Sequence, residues 1–414
     1  MVHDGSYSQL ELMQARVKFV PSGWAFNYVG KAFAIKNNLR KPISEDEREK
    51  NPGVYPYYGP TKIQGYIGTY EQDGSYALIG EDGDHFLKYE SQPMTQLVDG
   101  KCTVNNHAHI IEGTKKASRE WFYYYFMHRD IFSFLSRQGA GRYKLNKASL
   151  EKIPVLVPPV QEQKKIAKIL STWDKAITTT EQLLANSQQQ KKALMQQLLT
   201  GKKRLLDENG VRFSGEWKVS KLSKLFERVT TKNNGQSTNV VTISGQHGLI
   251  RQEDFFKKTV ASETLDGYFL LKQGQFAYNK SYSNGYPMGA IKRLNRYPDG
   301  VVTTLYICFE LSDSGRADSD FWEHYFESGL LNKGLSQIAH EGGRAHGLLN
   351  VKPSDFFSLK VPTPSFEEQQ KIAAVLSTAD QEISALQQKL DALKQEKKAL
   401  MQQLLTGKRR VVIE

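Results

Sequence analysis

Two stretches of the chain place apolar side chains at alternating intervals of four and three residues. In the second stretch these positions are Ile372, Leu376, Ala379, Ile383, Leu386, Leu390, Leu393, Lys397, Leu400 and Leu404. The equivalent places in the first stretch are Ile166, Leu170, Trp173, Ile177, Thr180, Leu184, Ser187, Lys191, Leu194 and Leu198. This spacing is the seam of a helix that packs along another helix. It predicts two long helices, over residues 161–201 and 365–407, each about 60 Å long at 1.5 Å per residue.

The residues at the ends of the two stretches support these bounds. Prolines at 158–159 and at 362 and 364 interrupt the chain before each helix. Ser365 and Glu368 have the spacing of a capping box, in which each side chain bonds the other residue's backbone amide. Gly201 and Gly407 stand where a left-handed backbone commonly ends a helix.

The two stretches are copies of each other. The sequence KKALMQQLLTGK occurs at 191–202 and again at 397–408, and residues 162–177 align with 368–383 at the same offset. Segment 17–24 likewise resembles segment 211–217. Two matching helices in one chain favour an intramolecular antiparallel pair with pseudo-twofold symmetry. The alternative is that each helix pairs with another chain in a dimerising coiled coil.

The blocks before the two helices differ from each other and read as mixed α/β domains. Short β-rich runs punctuated by glycine occur in both, for example at 63–70, 76–80, 240–244 and 301–311. Aromatic segments at 121–135 and 321–331 have helical spacing, which is typical of a core. We therefore expect an α+β protein with domains at 1–160 and 202–364, helices at 161–201 and 365–407, and a basic tail at 408–414.

The sequence carries no motif of an autonomous enzyme. Walker A, dinucleotide-binding, amino-methyltransferase, zinc-protease and nucleophile-elbow signatures are all missing. His107 and His109 alternate like possible metal ligands but have no third partner nearby in sequence, so we predict no metal site and no catalytic residue. Two isolated cysteines, no long apolar run and no signal-like start predict a cytoplasmic protein.

Charge and loop composition favour a nucleic-acid partner. Lys and Arg outnumber Asp and Glu by 56 to 44, for a net charge of +12. Base edges are recognised by amide and basic side chains on surface loops, and both domains carry such clusters. The candidate DNA-binding residues are Lys62, Gln64, Asn105, Asn106, His107, Arg142 and Lys144 in the first domain, and Gln246, His247, Asn279, Lys280, Asn284 and Arg344 in the second.

Two dissimilar domains, each followed by a nearly identical EQ-x-K-I-A…KKALMQQLLTGK helix, resemble the specificity (S) subunit of type I restriction–modification enzymes. The resemblance covers residues 24–410. It implies that each variable domain is a target recognition domain reading one half of a split, asymmetric DNA sequence. It also implies that the helices set the spacer and dock two methyltransferase (M) subunits, and that motor-nuclease (R) subunits join the complex. S-adenosylmethionine, ATP and Mg²⁺ are then expected in the partner subunits and no cofactor in this chain.

Apolar residues outside the seam indicate where such subunits would dock. We expect Met195, Leu199, Met401 and Leu405 to form this surface, with Ile169 and Val375 beside it. Two other functions stay open at this point. One is a coiled-coil regulator or scaffold whose globular domains bind protein, and the other is a self-contained restriction or modification enzyme with an unrecognised site.

Overall fold

The chain divides into two compact units. The structure, a computed structural model, describes residues 7–137, 142–245, 247–256, 264–339 and 349–412. Unit 1 comprises residues 1–181 and 389–414, and unit 2 comprises residues 182–388. Both dividing points fall inside the two predicted long helices, so each unit contains part of both repeats.

Unit 1 is built around a mixed six-stranded sheet. Its described strands are β1 (Ala25–Tyr28), β2 (Ala34–Ile35), β3 (Pro52–Tyr58), β4 (Ile63–Ile67), β5 (Gln72–Gly80), β6 (Thr95–Val104), β7 (Ala108–Glu112), β8 (Ser136–Arg137), β9 (Tyr143–Lys144) and β10 (Pro154–Val157). The sheet order is β2-β7-β5-β6-β3-β4, with β3 and β6 parallel and the other neighbours antiparallel. Separate small pairs join β1 to β10 and β8 to β9.

Short helices complete unit 1, and the predicted aromatic helix is one of them. They are α1 (Gln9–Gln14), α2 (Val29–Ala32), α3 (Glu45–Lys50), α4 (Arg119–Phe126) and α5 (Lys147–Glu151), with 3-10 turns at Asn37–Leu39, Asp84–Lys88 and Phe132–Phe134. The Ser118 side chain caps α4 by accepting from the Trp121 amide. Trp121 is buried, and its indole N–H donates to the Leu156 carbonyl over 2.8 Å. The segment is therefore core as expected up to Met127, but its α-helix ends at Phe126 and Phe132 is 52% exposed.

Unit 2 has smaller sheets. Its described strands are β11 (Lys218–Lys221), β12 (Phe226–Val229), β13 (Val241–Ser244), β14 (Gly248–Arg251), β15 (Phe269–Lys272), β16 (Phe276–Asn279), β17 (Ala290–Arg293), β18 (Asp299–Val302), β19 (Ile307–Leu311) and β20 (Lys360–Thr363). Four of them form an antiparallel sheet in the order β12-β19-β16-β17, and β11–β20, β13–β14 and β15–β18 are two-stranded. The apolar run at 301–311 is two strands rather than one, because a turn at 303–306 separates β18 from β19.

The long helices begin and end close to the predicted positions. α6 spans Val160–Leu198 and α11 spans Phe366–Leu404, 39 residues each. Three further helices of unit 2 lie between them, α8 (Ser319–Glu327), α9 (Asn332–Ile338) and α10 (Pro353–Ser358), together with α7 (Gln252–Phe256) and a 3-10 turn at Leu222–Lys224. Gly201 and Gly407 adopt φ of 70° and 68°, which confirms the left-handed helix ends.

Every predicted seam position is buried or half-buried, and the pairing direction is clear inside each unit. In unit 1, Asp174 bonds Lys397 and Glu181 pairs with Lys394 at 2.7 Å. In unit 2, Ser187 donates to Glu382 over 3.2 Å and Lys191 contacts Asp380 at 2.5 Å. In both units the partner number falls as the residue number rises, so the helix segments are antiparallel. The intramolecular pair is confirmed, and the dimerising alternative is not needed.

Candidate nucleic-acid interface

A charged cluster holds the candidate binding loops of unit 1 in place. Glu81, at the end of β5, forms an ion pair with Arg40 and lies 3.4 Å from the Lys144 ammonium. Arg40 also donates to the Asn106 carbonyl over 2.9 Å, and the Glu81 amide donates to the His107 carbonyl. One carboxylate thus ties three segments together. Arg40 was not predicted, because a single arginine in the segment NNLRK carries no signal of its own.

Asn106 and His107 are the exposed residues of this loop. The His107 Nδ1 atom lies 2.8 Å from an Asp82 carboxylate oxygen, which orients the ring, and the side chain is 47% exposed. Lys62 is also exposed, in the turn between β3 and β4, and Arg142 is exposed just before β9. These side chains have the amide, imidazole and basic chemistry that recognises base edges and phosphates.

Asn105 does not have the exposure that we expected. It is buried, its amide nitrogen donates to Gln64 Oε1 over 2.9 Å, and its oxygen accepts from the His107 amide over 2.7 Å. Both ends of the side chain are therefore used inside the protein. Asn105 braces the loop and positions Gln64, which is exposed on the edge strand β4.

His109 is a buried structural histidine, as the absence of a third ligand had favoured. Its Nδ1 atom lies 2.8 Å from the Asn37 amide nitrogen, and its Nε2 atom lies 2.7 Å from the Leu145 carbonyl oxygen. Since the amide nitrogen donates, Nε2 must carry the proton and the ring is neutral. Burial lowers the pKa of His109 in agreement with this tautomer.

Exposed tyrosines extend the same surface, and sequence analysis did not single them out. On β4, Tyr66 is 56% exposed, and Tyr70 beyond the strand is 41% exposed. The Lys101 ammonium lies 4.7 Å from the Tyr70 ring centroid. Aromatic rings within reach of cations suit contact with sugars and bases, but in a β-rich sequence they look like ordinary strand residues.

The predicted binding loops of unit 2 form two adjoining turns. The Tyr286 hydroxyl, in the loop between β16 and β17, lies 2.8 Å from the Gly245 carbonyl in the turn after β13. Lys292 donates to the same carbonyl over 2.9 Å, and Glu327 accepts from Lys292 at 2.5 Å. This network holds the two turns side by side.

Three exposed side chains project from these turns. His247 and Asn284 are exposed as predicted, and Tyr282 at the loop tip is 64% exposed. Tyr282 lies inside the predicted segment NKSYSNGY but was not named as a candidate. Two further candidates, Gln246 and Arg344, lie outside the described residues.

Asn279 and Lys280 support the loop from within. The Asn279 side chain accepts from the Ser281 amide over 3.1 Å, and the Lys280 carbonyl accepts from the Leu349 amide over 2.9 Å. Lys280 is half-buried, and burial, followed by the nearby charge of Arg228, lowers the pKa of its ammonium. Both residues are half-buried, and these bonds shape the loop.

Each unit contains the same contact, in which a buried glutamate accepts hydrogen bonds from a tryptophan and an arginine. In unit 1, the Glu162 carboxylate accepts from the Trp24 indole over 3.0 Å and from Arg410 over 2.7 and 2.8 Å. In unit 2, Glu368 accepts from the Trp217 indole over 2.9 Å and from Arg204 over 2.5 and 2.7 Å. Glu368 therefore does not complete the predicted capping box, although its amide still donates to Ser365 over 3.3 Å.

The four predicted docking residues are not exposed. Met195 and Leu199 are buried in the core of unit 2, and Met401 and Leu405 are buried in the core of unit 1. The prediction placed them outside a narrow a/d seam. A helix packed on both a partner helix and a domain buries a wider face, which includes these positions. Of the neighbouring residues, Val375 is 36% exposed.

Among the described residues, no group of His, Cys, Asp and Glu is arranged to bind a metal ion. A search of the same residues finds no helix long and apolar enough to cross a bilayer.

Comparison with known proteins agrees with this architecture. The family described as the type I restriction modification DNA specificity domain matches twice, at residues 21–186 and 215–395. The MjaVIII type I restriction enzyme specificity subunit of Methanocaldococcus jannaschii is 23% identical over 95% of this chain and 94% of its own length. A putative type I restriction enzyme specificity subunit of Haemophilus influenzae is 39% identical over 33% of this chain, and the match spans only 34% of that relative.

A solved structure shares the fold. The S subunit of a type I restriction–modification system from M. genitalium superposes with a TM-score of 0.60 at 14% identity, covering 92% of this chain and 96% of the other. The two family matches together cover more than half of the sequence, and they confirm the resemblance seen in the repeated helices. The chain belongs to the family of DNA specificity subunits of type I restriction–modification enzymes.

Proposed function

We propose that the two units read the two halves of one bipartite, asymmetric DNA target. Membership of the family makes the chain the DNA-recognition component of a type I system and not its catalyst. One observation supports the division of labour. The buried glutamate contacts of the two units are the same, residue for residue, whereas their exposed loops differ in both sequence and strand context.

The first half-site is assigned to the loop surface of unit 1 and the second to that of unit 2. Asn106 and His107 are the exposed, braced side chains of unit 1, and His247 and Asn284 are those of unit 2. Rigid support of exposed polar groups favours base readout, because little conformational freedom is then lost on binding.

The partner subunits follow from the same proposal. Two methyltransferase subunits would bind along the remaining solvent faces of α6 and α11, where Leu183 and Val375 stay exposed. S-adenosylmethionine would be held by these subunits, and ATP and Mg²⁺ by motor-nuclease subunits. The two helices would set the length of the unread spacer.

Methylome sequencing tests the proposal. Cells would express the chain with the methyltransferase subunit of its own operon, in parallel with His107→Ala/Asn106→Ala and His247→Ala/Asn284→Ala variants. The first variant should relax or abolish recognition at one half-site only, and the second at the other half-site only. Loss of both half-sites in a folded variant, or no methylation by the unmodified chain, would contradict the proposal. A scaffold function would give co-purifying protein but no methylated DNA motif.

A further inference from the structure

Unit 1 carries a group of lysines that the recognition surface does not use. Four are on the first half of α6 and two are in the loop that packs against its start. We call this group the lysine patch: Lys115, Lys116, Lys164, Lys165, Lys168 and Lys175. Lys165 is half-buried and the others are exposed. None of the six forms an ion pair with any described residue.

The acidic residues that could neutralise the patch form ion pairs with other residues. The three carboxylates of the α6 segment in unit 1 are Glu162, Asp174 and Glu181, and they pair with Arg410, Lys397 and Lys394. On either side of the loop, Glu112 pairs with Lys36 at 3.1 Å and Glu120 with Arg119 at 2.7 Å. The patch therefore stays strongly positive in the folded unit.

Three of the four lysines of α6 share one face of the helix. At 100° per residue, Lys164, Lys168 and Lys175 lie within about 40° of each other around the helix axis, and they extend over about 16 Å. The loop is fixed beside them, because the Gln163 amide nitrogen donates to the Lys116 carbonyl over 2.8 Å and its oxygen accepts from the Ser118 amide. The result is one continuous basic surface.

The second repeat lacks these three helix lysines. At the offset of 206 residues that relates the helices, Lys164, Lys168 and Lys175 correspond to Gln370, Ala374 and Gln381. The loop that contacts Gln369 carries Arg316, which pairs with Asp313 at 3.3 Å. Since a copy of the same helix folds with neutral residues there, the fold does not require the lysines.

Lysines that the chain leaves unneutralised, three of which are absent from the copy of the same helix, point to an external polyanion.

We infer that the lysine patch binds the phosphate backbone of DNA outside the first half-site, on one side of the complex only. This inference rests on the proposed function. Strand β7 begins beside His107 and ends at Glu112, just before the loop of Lys115 and Lys116, and its five residues span about 17 Å. A length of 17 Å along a DNA duplex corresponds to about five base pairs at 3.4 Å per base pair.

Lysine suits this role, because its ammonium binds phosphate as a point charge and makes no demand on base sequence. A contact of this kind raises affinity for every sequence equally. An acidic protein surface would satisfy the same charges, and the experiment must tell the two apart.

The test replaces the three helix lysines by the residues of the second repeat, Lys164→Gln, Lys168→Ala and Lys175→Gln. The specificity subunit is purified with its methyltransferase subunits, and binding to a duplex that carries the methylated motif is measured from 50 to 200 mM salt. Each phosphate contact contributes about 0.9 to the slope of log affinity against log salt. The unmodified complex should bind more tightly than the variant at 50 mM salt. If two or three contacts are lost, the ratio of the two affinities should be roughly 10- to 40-fold smaller at 200 mM than at 50 mM. The methylated motif should not change.

The reverse exchange, Gln370→Lys, Ala374→Lys and Gln381→Lys, is the matched control. If phosphates also pass the equivalent face of unit 2, this exchange should make the slope of log affinity against log salt steeper. Comparing the slope changes of the two variants shows how far the DNA contact is confined to unit 1. An unchanged salt slope in the first variant would overturn the inference. Loss of methyltransferase or motor subunits from the variant complex, with DNA binding unchanged, would assign the patch to a protein and also overturn it. If the unmodified complex fails to bind any motif, the proposed function fails instead.

Discussion

The pair between Glu162 and Arg410 should be essential for the stability of unit 1. The carboxylate of Glu162 is 0% exposed, whereas the Arg410 side chain is 43% exposed. Arg410→Met removes two charge-assisted hydrogen bonds and leaves a buried carboxylate with the Trp24 indole as its remaining donor. Breaking a buried pair in this way costs about 3–5 kcal/mol. Because water reaches the arginine, we expect about 2–3 kcal/mol.

A second substitution shows whether the cost comes from the stranded charge. Glu162→Gln keeps an acceptor for Trp24 but carries no charge, so alone it should cost only about 1 kcal/mol. The double variant Arg410→Met/Glu162→Gln should be more stable than Arg410→Met, at about 1–1.5 kcal/mol below the unmodified chain. Arg204→Met and Glu368→Gln are the matched changes in unit 2.

Urea unfolding followed by tryptophan fluorescence measures these differences, and hydrogen exchange of residues 389–412 assigns them to a unit. For a slope of about 2–3 kcal/mol per molar urea, Arg410→Met should move the midpoint by about 1 M. A loss below about 0.5 kcal/mol would place the pair among ordinary surface ion pairs. Additive single and double variants would show that the stranded carboxylate is not the cause. Either result would refute the reasoning.

Three further outcomes are expected. Lys191→Asp should lower the melting temperature by a few degrees by facing Asp380 with a like charge, and adding Asp380→Lys should restore most of it in a thermal melt. Burial lowers the pKa of His109 in the folded chain. Below the ordinary histidine pKa of about 6.5 the unfolded chain therefore binds more protons than the folded chain, and the free energy of unfolding should fall as pH drops from about 7 to 5. A His109→Gln variant should show a weaker pH dependence in urea unfolding. Inserting four residues after Ala185, about 6 Å of helix, should lengthen the preferred spacer by about one or two base pairs without changing either half-site, and a methylome with the original spacer would show that the helices do not set it.

The sequence was sufficient to predict the long helices, their antiparallel pairing and their ends. A 4-3-4-3 repeat is a local pattern, and every seam position it named is at least half-buried. The sequence also located the polar seam residues Thr180, Ser187 and Lys191 correctly, but it did not show what they contact. Only the fold brings Lys191 to Asp380, nearly two hundred residues away in the sequence.

The candidate site was predicted less well. Composition identified the loops, but it could not separate the residues that face solvent from those that hold the loop together. Asn105 has the amide chemistry that recognises bases, but its side chain is buried and donates to Gln64, 41 residues away in the sequence. The prediction that Met195 and Met401 are exposed was wrong for a related reason. Heptad spacing describes the packing of a helix on one neighbour, whereas each of these helices packs on a partner helix and on a domain.

The core of unit 1 also determines when this unit can finish folding during synthesis. Met401, Leu404 and Leu405 pack among Trp24, Trp121 and their neighbours, so this core draws on both ends of the described chain. Residues 182–388, which form unit 2, all leave the ribosome before those three. At roughly 5–20 residues per second, the first domain waits about 10–40 s for the helix segment that completes it. The domain synthesised first is thus the one completed last.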